Sequence, residues 1–455
     1  MAADSAAKRH ETSSSSVPST TCLSGDYQEC VPRQPKRRRS CGAPKTTPNS
    51  SRTTSHRMRS TPDWTVLPPE VLVTVFAQLP IADLGRVACV CKAWSRASQC
   101  PQLWQKFEFV LSNAAKSCLP ATSTALINFV LKRHAKHLKC VILRTDSSLE
   151  SAQKACHILS RLVNCSLKTL ALMSSARPVF LDVDQESFVS ALTLVLDHSR
   201  ALSSLAIDNT PVDDPSLKAL ALSNSRTLQL LRMKSCPRVS PGGIVALADH
   251  CRCLRELSLS YNLLSDNLLM ALSSEEHVRL EYLRIDIYGE NDAPFKRVSP
   301  HCWKALVEHS PSMNLVMYVF VLPEESLESL FTSYIPVTHL YFGDSLPKRV
   351  LARIGKHCPR LRELVVGANG NTTIDSELLG VATNCPQLTS LGLGECEVTC
   401  SAFVEFVSRC GPKLRQLSVM EECLLEDELL DVNKTCKRVS EILGREWCPE
   451  FMPIW

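Results

Sequence analysis

Leucine and its apolar equivalents recur in the spacing LxxLxL, which restarts at Leu138, Leu167, Leu202, Leu228, Leu254, Leu280, Met313, Val337, Leu361, Leu388 and Leu414. Several of these intervals are 26 residues. A unit of that length, with one strand-like and one helix-like segment, cannot close around a core of its own. Units must stack, each burying its three apolar side chains against its neighbours. The expected body is a curved α/β solenoid with parallel strands on the concave face, and stretches such as "CSAFVEFVSRC" supply the helices on the convex side. A chain of 455 residues is too long for one ordinary compact core and suits such an array.

Laid on this template, the third, fifth and seventh positions of each pattern face the concavity. Arg232 and Lys234, then Glu256, Ser258 and Ser260, then Tyr282, Arg284 and Asp286 read as ordinary solvated side chains. The next repeats place Leu315, Met317 and Val319, then His339 and Tyr341, then Val365 on the same face. An apolar and aromatic stripe where water is expected signals an interaction site. Gly343, Gly367, Gly392 and Gly394 would also admit another backbone at close range. A slipped register in these irregular repeats would instead send part of the stripe into the core.

The flanks differ from the repeats. Residues 1–62 are rich in Ser, Thr, Pro, Lys and Arg, too poor in aliphatic residues to offset the entropy of ordering, and are expected to be disordered. Within them Lys36, Arg37, Arg38 and Arg39 form a candidate nuclear localisation signal, or an ordinary solvated basic run. From 63 to 110 the pattern is helical: Val71, Leu72, Val75, Phe76 and Leu79 share a face behind Pro68 and Pro69, and Pro80 ends it. Leu84, Val87, Val90, Cys91 and Trp94 form a second stripe, and Leu103 and Trp104 open a third element. Forty residues with two or three apolar helical faces cannot bury them all internally, so a partner is required. The repeats then occupy 111–446.

Residues 447–455 end in "FMPIW". Pro449 and Pro453 oppose helix, so an extended tail is expected, with Trp455 as a large, conformationally cheap anchor. The plainer alternative is that Trp455 packs on the last repeat.

Bulk properties exclude several classes. The net charge of +5 is small for this length and demands no nucleic acid, and neither a signal-peptide core nor a membrane-length apolar run is present. A nuclear and cytoplasmic protein is expected, with its 22 cysteines mostly reduced. Cys251, Cys358 and Cys385 stand three residues before a repeat's first leucine, and Cys236 and Cys396 eight after one, which reads as periodic core filling rather than a metal site. No cofactor is expected.

The segment Leu67-Pro68-Pro69-Glu70, Leu72, Phe76, Leu79, Leu84, Val90-Cys91, Trp94 and Leu103-Trp104 resembles the F-box, the motif that docks substrate receptors on the Skp adaptor of Skp–cullin–F-box ubiquitin ligases. "LVNCSLKTL", "NTPVDDPSLKAL", "ALSSEEHVRLEYLRID", "HLYFG", "LGLGECEVTCSAFVEFV" and "MPIW" resemble the F-box/leucine-rich-repeat family, in its cryptochrome-targeting branch. That resemblance implies a Skp adaptor and cullin–RING scaffold as partners, and a cryptochrome substrate whose flavin pocket receives Trp455. It also makes Met452 and Pro453 contacts. The family carries Thr at the penultimate position where this chain has Ile454, an exchange of a polar contact for an apolar one.

Three functions compete. A non-catalytic substrate receptor would promote cryptochrome ubiquitination and degradation, and so regulate the circadian clock. A non-degradative adaptor would bind or shield cryptochrome or another partner. An enzyme is disfavoured: Asp197, His198 and Ser199 are sequence neighbours, which rarely form a relay, and no P-loop or dinucleotide motif accompanies them.

Overall fold

The computed structural model describes residues 67–112, 121–146, 148–174, 179–288, 297–320, 322–332, 334–343, 346–367 and 373–450. Lys36, Arg37, Arg38, Arg39, Met452, Pro453, Ile454 and Trp455 lie outside the described residues.

Pro69 opens helix α1 (Pro69–Phe76), where a missing N–H costs no helical hydrogen bond. Leu72 and Phe76, one turn apart, point inward and meet Leu84 of α2 (Ile81–Val87) and Ala97 of α3 (Lys92–Ser98). Phe76 also meets Trp94 edge to face at 5.3 Å. Cys91 caps α3, its sulfur accepting from the Trp94 N–H at 3.5 Å. Each fully buried side chain of this size contributes about 1.5–3 kcal/mol, and so small a core needs its neighbour. Trp104 supplies the join: its Nε1 donates to the Ser98 carbonyl at 2.9 Å while its ring stacks on His134 at 4.4 Å, inside the repeat core. Ile81 and Leu103 touch both cores.

The strands are β1 (Lys106–Leu111), β2 (Cys140–Thr145), β3 (Thr169–Ser174), β4 (Ser204–Ala206), β5 (Leu230–Met233), β6 (Glu256–Ser260), β7 (Tyr282–Ile287), β8 (Asn314–Val319), β9 (Val337–Phe342), β10 (Glu363–Gly367), β11 (Ser390–Gly394), β12 (Val398–Thr399), β13 (Gln416–Val419) and β14 (Leu424–Leu425). Among the described residues β1 to β11 and then β13 form one parallel sheet in sequence order, and β12 pairs with β14. Helices return the chain between strands, beginning with α4 (Thr124–Arg133) and α5 (Leu149–Arg161).

Stacked turns must satisfy the polar groups that stacking buries. Asn224 does this between two of them, accepting from the Leu202 N–H at 2.9 Å and donating to the Leu196 carbonyl at 3.3 Å. A second device recurs. A first-turn aspartate accepts both the backbone N–H and the hydroxyl of a Ser or Thr entering the next turn: Asp214 from Ser240 at 2.9 and 2.6 Å, Asp266 from Ser299 at 2.8 and 2.7 Å, Asp375 from Thr399 at 2.9 and 2.9 Å.

One stretch departs from the template. In β8 the core side chains are Leu315, Met317 and Val319, following Met313 in simple alternation. The two-residue spacer of LxxL reappears in β9, where Val337 pairs with Leu315 and His339 with Val316, leaving Thr338 as a bulge. The bulged Thr338 is buried, and its hydroxyl donates to the Leu315 carbonyl at 3.0 Å. Leu315, Met317 and Val319 therefore do not line the concavity as the repeat template expects. Asn314, Val316 and Tyr318 do, because strand side chains alternate and a slip of one residue exchanges the faces.

Candidate functional site

On the concave face the sheet aligns side chains in rows across the strands. One row runs Arg232, Ser258, Arg284, Val316, His339 and Glu363, and the next runs Ser260, Asp286, Tyr318, Tyr341, Val365 and Gly392. His339, Tyr341 and Val365 thus occupy the face the sequence assigned to them. Tyr341 and Val365 are nonetheless buried, and neither belongs to the repeat core.

The centre of this face is not the solvated polar surface that Arg284 and Asp286 suggest in sequence. Asp286 is fully buried, and Arg284 donates to it from Nε at 2.7 Å and Nη2 at 3.2 Å. Lys234 stands 3.4 Å away and the Tyr288 hydroxyl 3.5 Å away. The Arg284 guanidinium in turn covers the Tyr318 ring, 3.7 Å from its centroid, a favourable placement for a cation on an aromatic face. Tyr318 stacks on Tyr341 at 4.5 Å, and Tyr288 stacks on Phe320 at 4.8 Å.

A Cβ on Gly343 would lie 2.6 Å from the Phe320 ring, so this glycine accommodates the chain's own aromatic side chain. Tyr341 is hydrogen-bonded to Glu363, and burial raises the pKa of both. Burial, with the Arg362 charge beside it, holds His339 below the usual imidazole range. The result is a preorganised platform of aromatic rings and buried charges.

The tail is rooted beside this platform. Trp447 donates from Nε1 to the Leu417 carbonyl at 2.8 Å, and its ring lies 5.5 Å from Phe403. The Glu450 N–H donates to the Val419 carbonyl at 2.9 Å, and its carboxylate accepts from Ser418 at 2.9 Å. Ser418 belongs to the concave row that contains Gly392, so residue 450 is fixed at that face.

At the other end the helical module divides its predicted residues. Leu72, Phe76 and Leu84 fill its own core and Trp104 joins the repeats; Leu67, Leu79, Cys91, Trp94 and Leu103 are half-buried. Pro68 is exposed, and so are Val71, Val75 and Val90, at 43%, 45% and 57%. Val71 and Val75, which the sequence places on one apolar face with Leu72 and Phe76, form its outward strip.

Elsewhere the geometry argues against bond chemistry at the positions singled out. Asp197 accepts from Ser223, His198 is bonded to the Leu194 carbonyl, and Ser199 is fully buried, so the three form no relay. Burial pushes the Cys236 thiol up to about 11 and those of Cys251 and Cys385 up to about 12, away from reactive thiolate. Among the described residues no three His, Cys, Asp or Glu side chains are grouped to hold a metal ion.

A short helical module joined to a leucine-rich-repeat solenoid defines the F-box/LRR class. Residues 64–109 match the F-box-like family. F-box/LRR-repeat protein 21 of Mus musculus is 52% identical over 408 residues, covering 89% of this chain and 94% of the relative. The Bos taurus protein of the same name is 50% identical over 414 residues, 90% of this chain and 95% of the relative. F-box/LRR-repeat protein 8 of Homo sapiens is 25% identical over 372 residues, 77% of this chain and 93% of the relative. The chain belongs to the F-box/LRR-repeat protein family.

Proposed function

We propose that this chain is a non-catalytic substrate receptor of a Skp–cullin–F-box ubiquitin ligase whose substrate is a cryptochrome, and that it thereby acts on the circadian clock. The observation that carries the reading is the exposed apolar strip of Val71, Val75 and Val90 on a module too small to stand alone. A strip of this kind is stabilised by an adaptor that covers it. The aromatic platform and the adjoining root of the tail support the substrate half of the reading. Residues Met452, Pro453, Ile454 and Trp455 would enter the cryptochrome flavin pocket, with His339, Tyr341 and Val365 behind them. Lys36, Arg37, Arg38 and Arg39 would serve nuclear import. The contribution to ubiquitin transfer is proximity, which requires no reactive side chain here.

The test is binding of the Skp-bound chain to a cryptochrome photolyase-homology region, comparing the intact protein with Trp455→Ala, with and without saturating flavin. Loss of binding in the variant and competition by flavin are expected. Equal binding by both forms would place recognition elsewhere on the concave face. A reconstituted ubiquitination assay separates a degrading receptor from a shielding adaptor: cryptochrome conjugates are expected, and their absence from an assembled cullin complex would favour the second.

A further inference from the structure

The edge where strands begin, on the turns next to the helical module, carries a concentration of positive charge that neither fold nor proposed function uses. Lys106, Lys136, Lys139, Arg161, Lys168 and Arg200 are all exposed there, and none is ion-paired among the described residues. No Asp or Glu occurs from Val110 to Thr145 or from Ser151 to Leu181. Of the acids nearby, Asp146 and Glu150 follow a strand and open a helix at the opposite edge, while Asp197, in the last turn of the helix Gln185–His198 just before Arg200, stands at this edge and accepts from Ser223.

Helix dipoles explain part of this, since Arg161 ends α5 and cations are favoured in a last turn. They do not explain Lys139 and Lys168, which stand at the mouths of β2 and β3, beyond that range. These two are neighbours in the ladder: the Lys168 N–H donates to the Lys139 carbonyl at 2.7 Å. Adjacent strands are about 4.8 Å apart, and like charges at that spacing destabilise a sheet. A repeat array that held them for stability alone would alternate their sign.

We propose that this edge docks an extended acidic segment of a polypeptide. Single-stranded nucleic acid would require aromatic platforms for its bases. The exposed aromatic side chain here, Phe129, has its ring covered by Arg133 at 5.5 Å. Duplex DNA would require an element that enters a groove, and the edge is a row of strand mouths. A flat ladder of cations fits carboxylates along an extended chain: from β1 to β4 it spans about 15 Å, the length of four or five extended residues.

The experiment measures anisotropy of a labelled Glu- and Asp-rich dodecapeptide with the full chain, co-expressed with its Skp adaptor. The edge variant Lys136→Glu/Lys139→Glu/Lys168→Glu is compared with Lys304→Glu/Lys348→Glu/Lys434→Glu, which makes the same charge change elsewhere. Binding weaker by about tenfold in the first and by less than about twofold in the second is expected, with strong salt dependence in the parent. Equal losses in both variants would overturn the proposal, reducing it to net charge. So would tighter binding of oligothymidylate or anionic vesicles than of the peptide. Should the reversed edge variant fail to fold, Lys136→Gln/Lys139→Gln/Lys168→Gln reads the same contrast at a smaller size.

Discussion

The Arg284 guanidinium lies over the Tyr318 ring while holding both carboxylate oxygens of Asp286. One buried acid therefore sets the position of the aromatic platform through an arginine that faces both ways. Asp286→Ala would leave Arg284 and Lys234 close together without their shared counter-charge, and release the guanidinium from its seat. Removing one partner of a buried pair costs about 3–5 kcal/mol, and the partial exposure of Arg284 and Lys234, at 28% and 23%, reduces that to about 2–3 kcal/mol here. A urea-unfolding midpoint unchanged from the parent would show that water replaces the carboxylate freely.

His134 gives a pH dependence with a defined sign. Burial, then the charges of His137 and Arg133, lowers its pKa, and neither ring nitrogen has a partner. Between that lowered value and the ordinary 6.5 the unfolded chain binds more protons than the folded one. Stability therefore rises with pH through this window, is complete above the unfolded value, and is lost as pH falls through the folded one. His277 and His339 are shifted in the same direction and add to the slope. His134→Phe should retain the stack on Trp104, remove the orphan N–H and gain about 1 kcal/mol near neutrality. Its loss of stability on acidification should be smaller than the parent's. A variant with the parent's full pH slope would exclude His134 as a contributor.

Trp447 closes the sheet. Among the described residues β13 is the last strand of the sheet, so no further strand donates to its carbonyls, and Trp447 and Glu450 donate to those of Leu417 and Val419. Trp447→Phe should cost about 1–2 kcal/mol, from one buried hydrogen bond and some area. It should also speed hydrogen exchange at the Glu450 amide and weaken any partner binding that depends on Trp455. Exchange there at the parent's rate would show that the tail root holds without its indole.

The solenoid was legible because Leu228, Leu231 and Met233 and their counterparts repeat one spacing, and stacking leaves that spacing a single use. The concave surface was legible only in part. His339 and Tyr341 follow the template, whereas Met313 opens a strand lacking the spacer, so counting from it turned Leu315, Met317 and Val319 outward. The pairing of Leu315 with Val337 corrects this, and local pattern cannot supply a pairing. The burial of Asp286 is not legible, because alternation gives a residue's face but not what leans over that face. That part of the helical module must face a partner is legible in its excess of apolar faces, but not that Val71 and Val75 are the outward part, because a wide apolar stripe on a short helix does not say which edge its own core takes.

The shift of the spacer between β7 and β9 is a dislocation in an otherwise regular lattice. On either side the repeats keep one frame, with Leu283 continuing the line of Leu257, and Leu340 that of Leu364. Across the fault, Leu340 continues the line of Ile285 through Met317, one rung further along the strand. Repeats from the two halves are therefore not interchangeable modules, and a consensus averaged over all of them would describe neither half. Tyr318 and Tyr341 lie on the strands that flank the fault, so the aromatic platform stands where the lattice is least like itself.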